Sequence, residues 1–190
     1  TSSLKMPEPN QEDVNKLVEM IAQSKKPMLI CGGGVVRSRS HEEFREFARR
    51  IDAPVAITLM GAGGIAGRDP LATGMIGMHG SHASNMASAQ CDLLIAAGMR
   101  FDDRVTGNPE YFGRNARVIH LEIDPAEIDK IIHADVAVVG DIRQTLPRIT
   151  ERIRQADRSR WLAGFRDCDR IERERVVRPA TQPASAATPA

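Results

Sequence analysis

Apolar residues recur along the chain with two periods. Val14, Leu17, Val18 and Ile21 stand at i, i+3, i+4 and i+7, the stripe of an amphipathic helix running from Glu12 to about Lys25. Pro27 stops that helix, because its ring cannot join the hydrogen-bond ladder. Met28-Leu-Ile-Cys31 is then an apolar run of strand length, with Gly32, Gly33 and Gly34 directly behind it. A second unit repeats the design. Phe44, Phe47, Ala48 and Ile51 mark a helix to about Arg50, and Pro54-Val-Ala-Ile-Thr58 is a strand leaving into Leu59-Met-Gly-Ala-Gly-Gly64. Ser40 and Glu43 have the spacing of a capping box at the start of that helix.

The pattern continues to about Gln155. Gly74 to Gly80 reads as a short strand broken by glycines, Ser81 to Gln90 as a small-residue helix, and Asp92-Leu-Leu-Ile-Ala-Ala97 as a buried strand. Ala116 to Ile123 and Val136 to Val139 are two more strands, and Gly140-Asp141 starts a helix with the stripe Ile142, Leu146, Ile149, Ile153. Near-continuous apolar strands alternating with helices predict an α/β fold, a doubly wound six-stranded parallel sheet flanked by helices, Rossmann-like. Right-handed crossovers place every strand exit on one edge, where such sheets bind ligands. The expected organisation is a linker over 1–11, this domain over 12–156, a charged helix or linker over 157–178 and a disordered tail of Ala, Pro, Ser and Thr over 179–190.

Composition removes several function classes. Lysine plus arginine number 26 against 25 for aspartate plus glutamate, so no global field recruits nucleic acid or an anionic membrane. An aromatic content of 4% argues against base-stacking surfaces. No apolar run approaches the roughly 20 residues of a membrane span, and no secretory signal opens the chain. Cys31, Cys91 and Cys168 lack CxxC spacing, which indicates neither a disulfide framework nor a zinc site and makes a reduced, cytoplasmic setting the expectation. A start at Thr1 rather than methionine reads as an excised fragment.

The candidate chemistry lies at the strand exits. After Ala97 the chain delivers Gly98, Arg100, Asp102, Asp103 and Arg104 in quick succession, either a ligand loop or a polar turn with a local Asp/Arg pair. The glycine triplet offers unhindered backbone N–H groups, but Arg37 stands where GxGxxG would need its last glycine, so alone it is a strand-to-helix turn. His79 taken alone reads as a structural histidine. Glu122 could hold ribose hydroxyls, and Asp124 before Pro125 suits a helix cap. The set suits a nucleotide whose phosphates meet backbone N–H groups and Arg100, with Glu122 or Asp141 reaching hydroxyls or amines. No Walker A, HExxH, GxSxG or Cys/His nucleophile arrangement occurs, so the residues themselves predict neither a catalytic group nor a metal site.

In combination the motifs say more. Lys26-Pro-Met-Leu-Ile with the triplet, Thr58-Leu-Met-Gly, Met75-Ile-Gly-Met-His-Gly80, Gly98-Met-Arg-Phe-Asp-Asp-Arg-Val-Thr-Gly107 and Ile123-Asp-Pro-Ala-Glu-Ile128 occur in this order. From Glu12 to Ile153 the chain closely resembles the central domain of the acetolactate synthase (acetohydroxyacid synthase) large subunit, a thiamine diphosphate enzyme that also holds FAD. The resemblance implies a sheet of the DHS-like NAD/FAD-binding type gripping an extended FAD. Gly33 would face it after the first strand, Thr58 and Leu59 would line it after the second, and Ile76, Gly77, Met78 and His79 would pass along it. Gly98, Met99, Arg100, Phe101 and Asp102 would close on its phosphate and ribitol region, with Glu122, Ile123, Asp141 and Ile142 toward the adenosine end. Asp103 and Arg104 match positions that face the substrate channel.

The family joins two pyruvates to 2-acetolactate and carbon dioxide, or pyruvate to 2-oxobutanoate, in branched-chain amino acid biosynthesis, with no electron-carrying role for the flavin. It implies a homodimer or tetramer, a regulatory small subunit, and thiamine diphosphate with Mg2+ bound by domains absent here. Two departures stand out. Glu122 replaces the family's usual aspartate, and neither the GDG…N stretch for magnesium and diphosphate nor the glutamate-bearing pyrimidine domain is present. The chain is therefore expected to be inactive alone and to hold FAD weakly or not at all. Other readings are the corresponding domain of glyoxylate carboligase or pyruvate oxidase, and a free-standing regulatory nucleotide-binding module.

Overall fold

A computed structural model describes residues 8–172 and residue 174. Helix α1 (Gln11–Gln23) leads into β1 (Pro27–Cys31), the short helix α2 (Gly33–Arg37), α3 (His41–Ile51) and β2 (Val55–Ile57). A single helical turn (Leu59–Gly61) precedes β3 (Ala72–Met75), α4 (His82–Gln90), β4 (Leu93–Ala97) and the one-turn α5 (Asp103–Thr106). Then come β5 (Arg117–Glu122), a turn over Pro125–Glu127, β6 (Val136–Val139), α6 (Ile142–Thr150) and α7 (Ser159–Glu172). The six strands form one sheet in the order β3-β2-β1-β4-β5-β6, and every neighbouring pair is parallel. The doubly wound sheet expected from the pattern is what the chain adopts. Its winding reverses between β1 and β4, the switch point of the fold.

Alternation along the strands builds two cores. Leu29, Cys31, Val55, Ile95, Ile119 and Val138 face one side, where they meet Leu17, Phe44, Phe47 and Leu146 from α1, α3 and α6. Met28, Ile30, Ala56, Leu94 and Ala96 face the other, against Ala83 and Ala87 of α4 and Phe165 and Cys168 of α7. β1 and β4 are buried throughout, as strands covered on both faces must be.

Three expectations change. Ser40 precedes α3 but makes no side-chain cap, because its hydroxyl turns back to the Val35 carbonyl and the Ser38 hydroxyl, so the capping box does not form. The glycine-broken strand lies earlier, over Ala72–Met75, and Gly77 to Gly80 belongs to a loop. The charged stretch after Asp157 is a docked helix as far as Glu172. Leu162, Phe165 and Cys168 are buried, Phe165 packs edge-on at 4.6 Å from Trp161, and the Trp161 indole donates to the Pro27 carbonyl at 2.9 Å. Charge density masked an i, i+3, i+6 apolar face too thin to dominate the composition. Residues 1–7 of the expected linker, and the expected tail over 179–190, lie outside the described residues.

Candidate functional site

A parallel sheet gathers its six carboxyl ends at one rim, and the predicted residues lie there on successive exits. The tightest junction is at the switch point. Gly32 N–H donates to Ala97 O at 2.9 Å, Gly34 N–H to Gly98 O at 2.7 Å, and Gly98 N–H to Leu121 O at 2.8 Å. The turn after β1 thus packs backbone to backbone on the loop after β4. A Cβ on Gly34 would fall 2.7 Å from the Gly98 Cα, and one on Gly98 would fall 2.6 Å from Ile142 Cδ1. Glycine is required for contact here, independently of any dinucleotide fingerprint. Gly33 is the first residue of α2, so its N–H has no carbonyl within its own helix to bond. A Cβ on it would come within 2.9 Å of Met60.

The flanking exits are apolar and open. Leu59, Met60 and Met78 are 70%, 69% and 73% exposed, while Ile123 is half-exposed. Thr58 is buried and caps the turn behind it, accepting from Gly61 N–H at 3.1 Å. Ile76 is buried and bonds through its N–H to Ile57 O at 3.0 Å, whereas His79 stands in solvent. Met60 was not singled out from sequence. Its signal was an apolar pair in a glycine-rich exit, and its side chain stays largely exposed beside Gly33.

Charged residues divide by what they already hold. Among the described residues Arg100, Asp103 and Arg104 are exposed and make no ion pair, so their charges are available to a ligand. Asp102 caps α5 through Val105 N–H at 3.2 Å, Asp141 caps α6 through Arg143 N–H at 2.9 Å, and Asp124 caps its turn through Ala126 N–H at 2.9 Å. Glu122 is buried and accepts from Ile123 N–H at 2.8 Å. Each of these carboxylates has a local backbone task. Met99 and Phe101 are buried beneath the loop, and Ile142 reaches up from α6 against Gly98. A cleft of about 450 Å3 lined by Ser24, Lys25, Arg158 and Trp161 lies at the amino edge of the sheet, remote from this rim.

Beneath Met99 sits His120 of β5, fully buried. Its Nε2 lies 2.8 Å from Met99 O, its ring is edge-on to Phe101 at 4.9 Å, and its Nδ1 has no hydrogen-bond partner among the described residues. The neutral ring donates from Nε2 and props the loop after β4. Burial pulls its pKa below the ordinary 6.5, outweighing the Met99 carbonyl and the carboxylates of Glu122, Asp129 and Glu127, which act upward. Below that ordinary value the unfolded chain takes up a proton that the folded chain refuses. Stability should therefore fall on acidification from pH 7 through 6, with this histidine contributing up to about 1.4 kcal/mol per pH unit. His120→Gln keeps a donor for Met99 O without the titration. Urea unfolding of both proteins at several pH values tests this, and an unchanged slope in the glutamine variant would remove His120 as the cause.

Fold and rim together define a doubly wound α/β domain with glycine-lined exits meeting at its switch point. Residues 14–149 match the family described as thiamine pyrophosphate enzyme, central domain, and the chain belongs to that family. It is 49% identical over 134 residues to the acetolactate synthase large subunit of Parasynechococcus marenigrum, covering 70% of this chain and 22% of that protein. It is 47% identical over 133 residues to a probable acetolactate synthase large subunit of Methanocaldococcus jannaschii, covering 70% and 22%. Against isozyme 2 large subunit of Escherichia coli K12 the identity is 43% over 155 residues, covering 82% of this chain and 28% of that protein. The resemblance read from the motifs is thus met by these relatives. The chain spans about a quarter of the length of the curated relatives it matches, from 22% to 28% of those named here.

Proposed function

We propose that this chain is the FAD-binding part of an acetolactate synthase, a thiamine diphosphate-dependent carboligase that condenses two pyruvates to 2-acetolactate with loss of carbon dioxide. The observation that supports this best is the juxtaposition of uncommitted Arg100 with the Gly32–Gly34 turn and Gly98 on one rim. A diphosphate there would meet a cation and the N–H of Gly33, and the exposed Leu59, Met60 and Met78 would cover flat rings. The donor set therefore fits the flavin dinucleotide. Thr58, Ile76, Gly77 and His79 would line its path, Met99, Phe101 and Asp102 the turn, and Glu122, Ile123, Asp141 and Ile142 its far end. The cap bonds of Asp102 and Asp141 use one carboxylate oxygen each, leaving the second for a hydroxyl or amine. When bound, the flavin supplies structural order at this rim rather than electron transfer.

Asp103 and Arg104 would face the substrate channel. Thiamine diphosphate, Mg2+ and the reacting carbons would be held by other domains of the parent enzyme, which would assemble as a dimer or tetramer with a regulatory small subunit. Three free, buried cysteines suit the reducing cytoplasm. The test is an assay of acetolactate from pyruvate, thiamine diphosphate, Mg2+ and FAD, run on the 190-residue chain and on the protein at its full coding length. Turnover is expected only from the longer protein, and the short chain should leave gel filtration without flavin absorbance, since half a site loses much of its affinity. Turnover by the short chain, or none by the long one, would sink the assignment.

A further inference from the structure

The loop between β3 and α4 is gripped from two sides. Gly77 has φ +108, and a Cβ there would collide with the Arg104 carbonyl. Met78 N–H donates to that carbonyl at 3.2 Å, so the loop after β3 is tied backbone to backbone to α5. From the other side Asn85 addresses the same glycine. Its Oδ1 accepts from Gly77 N–H at 3.1 Å, and its Nδ2 donates to Gly77 O at 3.1 Å. A carboxamide has the donor and acceptor of a peptide unit, so this fork copies the doubly bonded pair of an antiparallel ladder. It fixes the orientation of Gly77 as well as its place.

The fork stands on an anchored helix. Ser81 caps α4 through Ser84 N–H at 3.2 Å, and its own hydroxyl donates to the Thr73 carbonyl of β3. The Ser84 and Thr73 hydroxyls meet at 3.0 Å. Asn85 itself is exposed, and among the described residues its carboxamide has no partner besides Gly77. It adds nothing to either core. A polar side chain placed so is spent on the loop alone.

We propose that Asn85 is a positioning residue for the rim: by fixing Gly77 it sets the register between the loop over 76–80 and the first turn of α5 with its cap, over 102–104. The Arg104 carbonyl is thereby held against Gly77 and Met78 in a single arrangement, and with it the start of α5 that carries Asp103. The consequence for flavin rests on the function proposed above, whereas the mechanical claim does not.

The test uses the protein at its full coding length, with Asn85→Ala and Asn85→Asp. In the alanine variant amide exchange should quicken about tenfold or more over 76–80 and 102–107 while β4 keeps its protection. The melting point should move by less than about 3 °C, and FAD titrated by fluorescence quenching should bind roughly tenfold more weakly. Asn85→Asp keeps an acceptor for Gly77 N–H but sets a carboxylate against Gly77 O, so it should fall between alanine and the unsubstituted protein. Unchanged exchange at both loops would overturn the proposal, as would faster exchange over 76–80 alone, since the link to α5 would then be absent. Failure of the unsubstituted protein to take up FAD would fell the flavin reading, and exchange would still decide the role of Asn85.

Discussion

Gly98→Ala is expected to remove about 2–5 kcal/mol of unfolding free energy, a large part of the roughly 5–15 kcal/mol that holds an ordinary domain together. Two costs combine. Gly98 has φ +61, where an L-residue loses about 1–2 kcal/mol. Its Cβ would also enter a space closed by Gly34 Cα at 2.7 Å and Ile142 Cδ1 at 2.6 Å. The isoleucine methyl can turn away, but the Gly34 backbone cannot, because its N–H is held by Gly98 O at 2.7 Å. Overpacking of this kind costs about 1–3 kcal/mol. Gly63→Ala is the control, since Gly63 has φ +93 and nothing within 4 Å of its virtual Cβ. Urea unfolding of both variants isolates the contact. Equal losses would mean that the switch point is looser than its geometry, and the rim's most rigid element would have to be sought elsewhere.

That junction shows which parts of the fold were legible. β1 and β4 announced themselves as unbroken apolar runs because parallel strands covered on both faces need no alternation. Their adjacency in the sheet was not written in either run. It follows from the crossover topology, and only the structure showed Gly32 and Gly34 pressed on Gly98. The triplet looked weak by its motif because Arg37 spoils the fingerprint, yet its glycines answer a neighbouring backbone rather than a consensus. Ser40 erred in the opposite direction. Its spacing to Glu43 fitted a capping box, but the short helix α2 ends just before it and offers the Val35 carbonyl first. Local spacing lost to a tertiary partner.

The rim was legible as a set of exits and much less so as chemistry. Arg100, Asp103 and Arg104 stand at the predicted edge without an ion pair among the described residues, whereas Asp102, Asp124 and Asp141 proved to be caps, a role the sequence offered explicitly only for Asp124. Asn85 escaped notice because one asparagine in a helix of small residues has no pattern. Its meaning depends on Gly77, eight residues earlier, being turned to receive it. His120 escaped for a similar reason: within an apolar strand, only the position of Met99 O says why a histidine stands there.

Arg158→Ala should cost about 2–4 kcal/mol, the second largest loss expected, from three carbonyls stripped of a cation. The Arg158 guanidinium donates to Ile51 O at the end of α3, and to Ile21 O and Ser24 O at the end of α1, both at 3.0 Å; its backbone N–H donates to the Asp52 carboxylate. α1 has no basic residue in its last turn, so the positive charge its C-terminus favours comes from 134 residues away in sequence. Asp52 completes the joint by adopting the left-handed conformation at φ 49 that ends α3. Arg158→Lys should recover less than half of the loss, because one ammonium cannot span two helix ends as a planar fork does. Trp161, the chain's single tryptophan, reports the event directly. It lies on the first turn of α7 and donates to Pro27 O. If Arg158 clamps that turn, emission should shift to the red in the alanine variant before global unfolding, and urea curves should give the stated loss. A loss below about 1 kcal/mol, or a lysine variant as stable as the original, would show that a surface charge of ordinary strength suffices there.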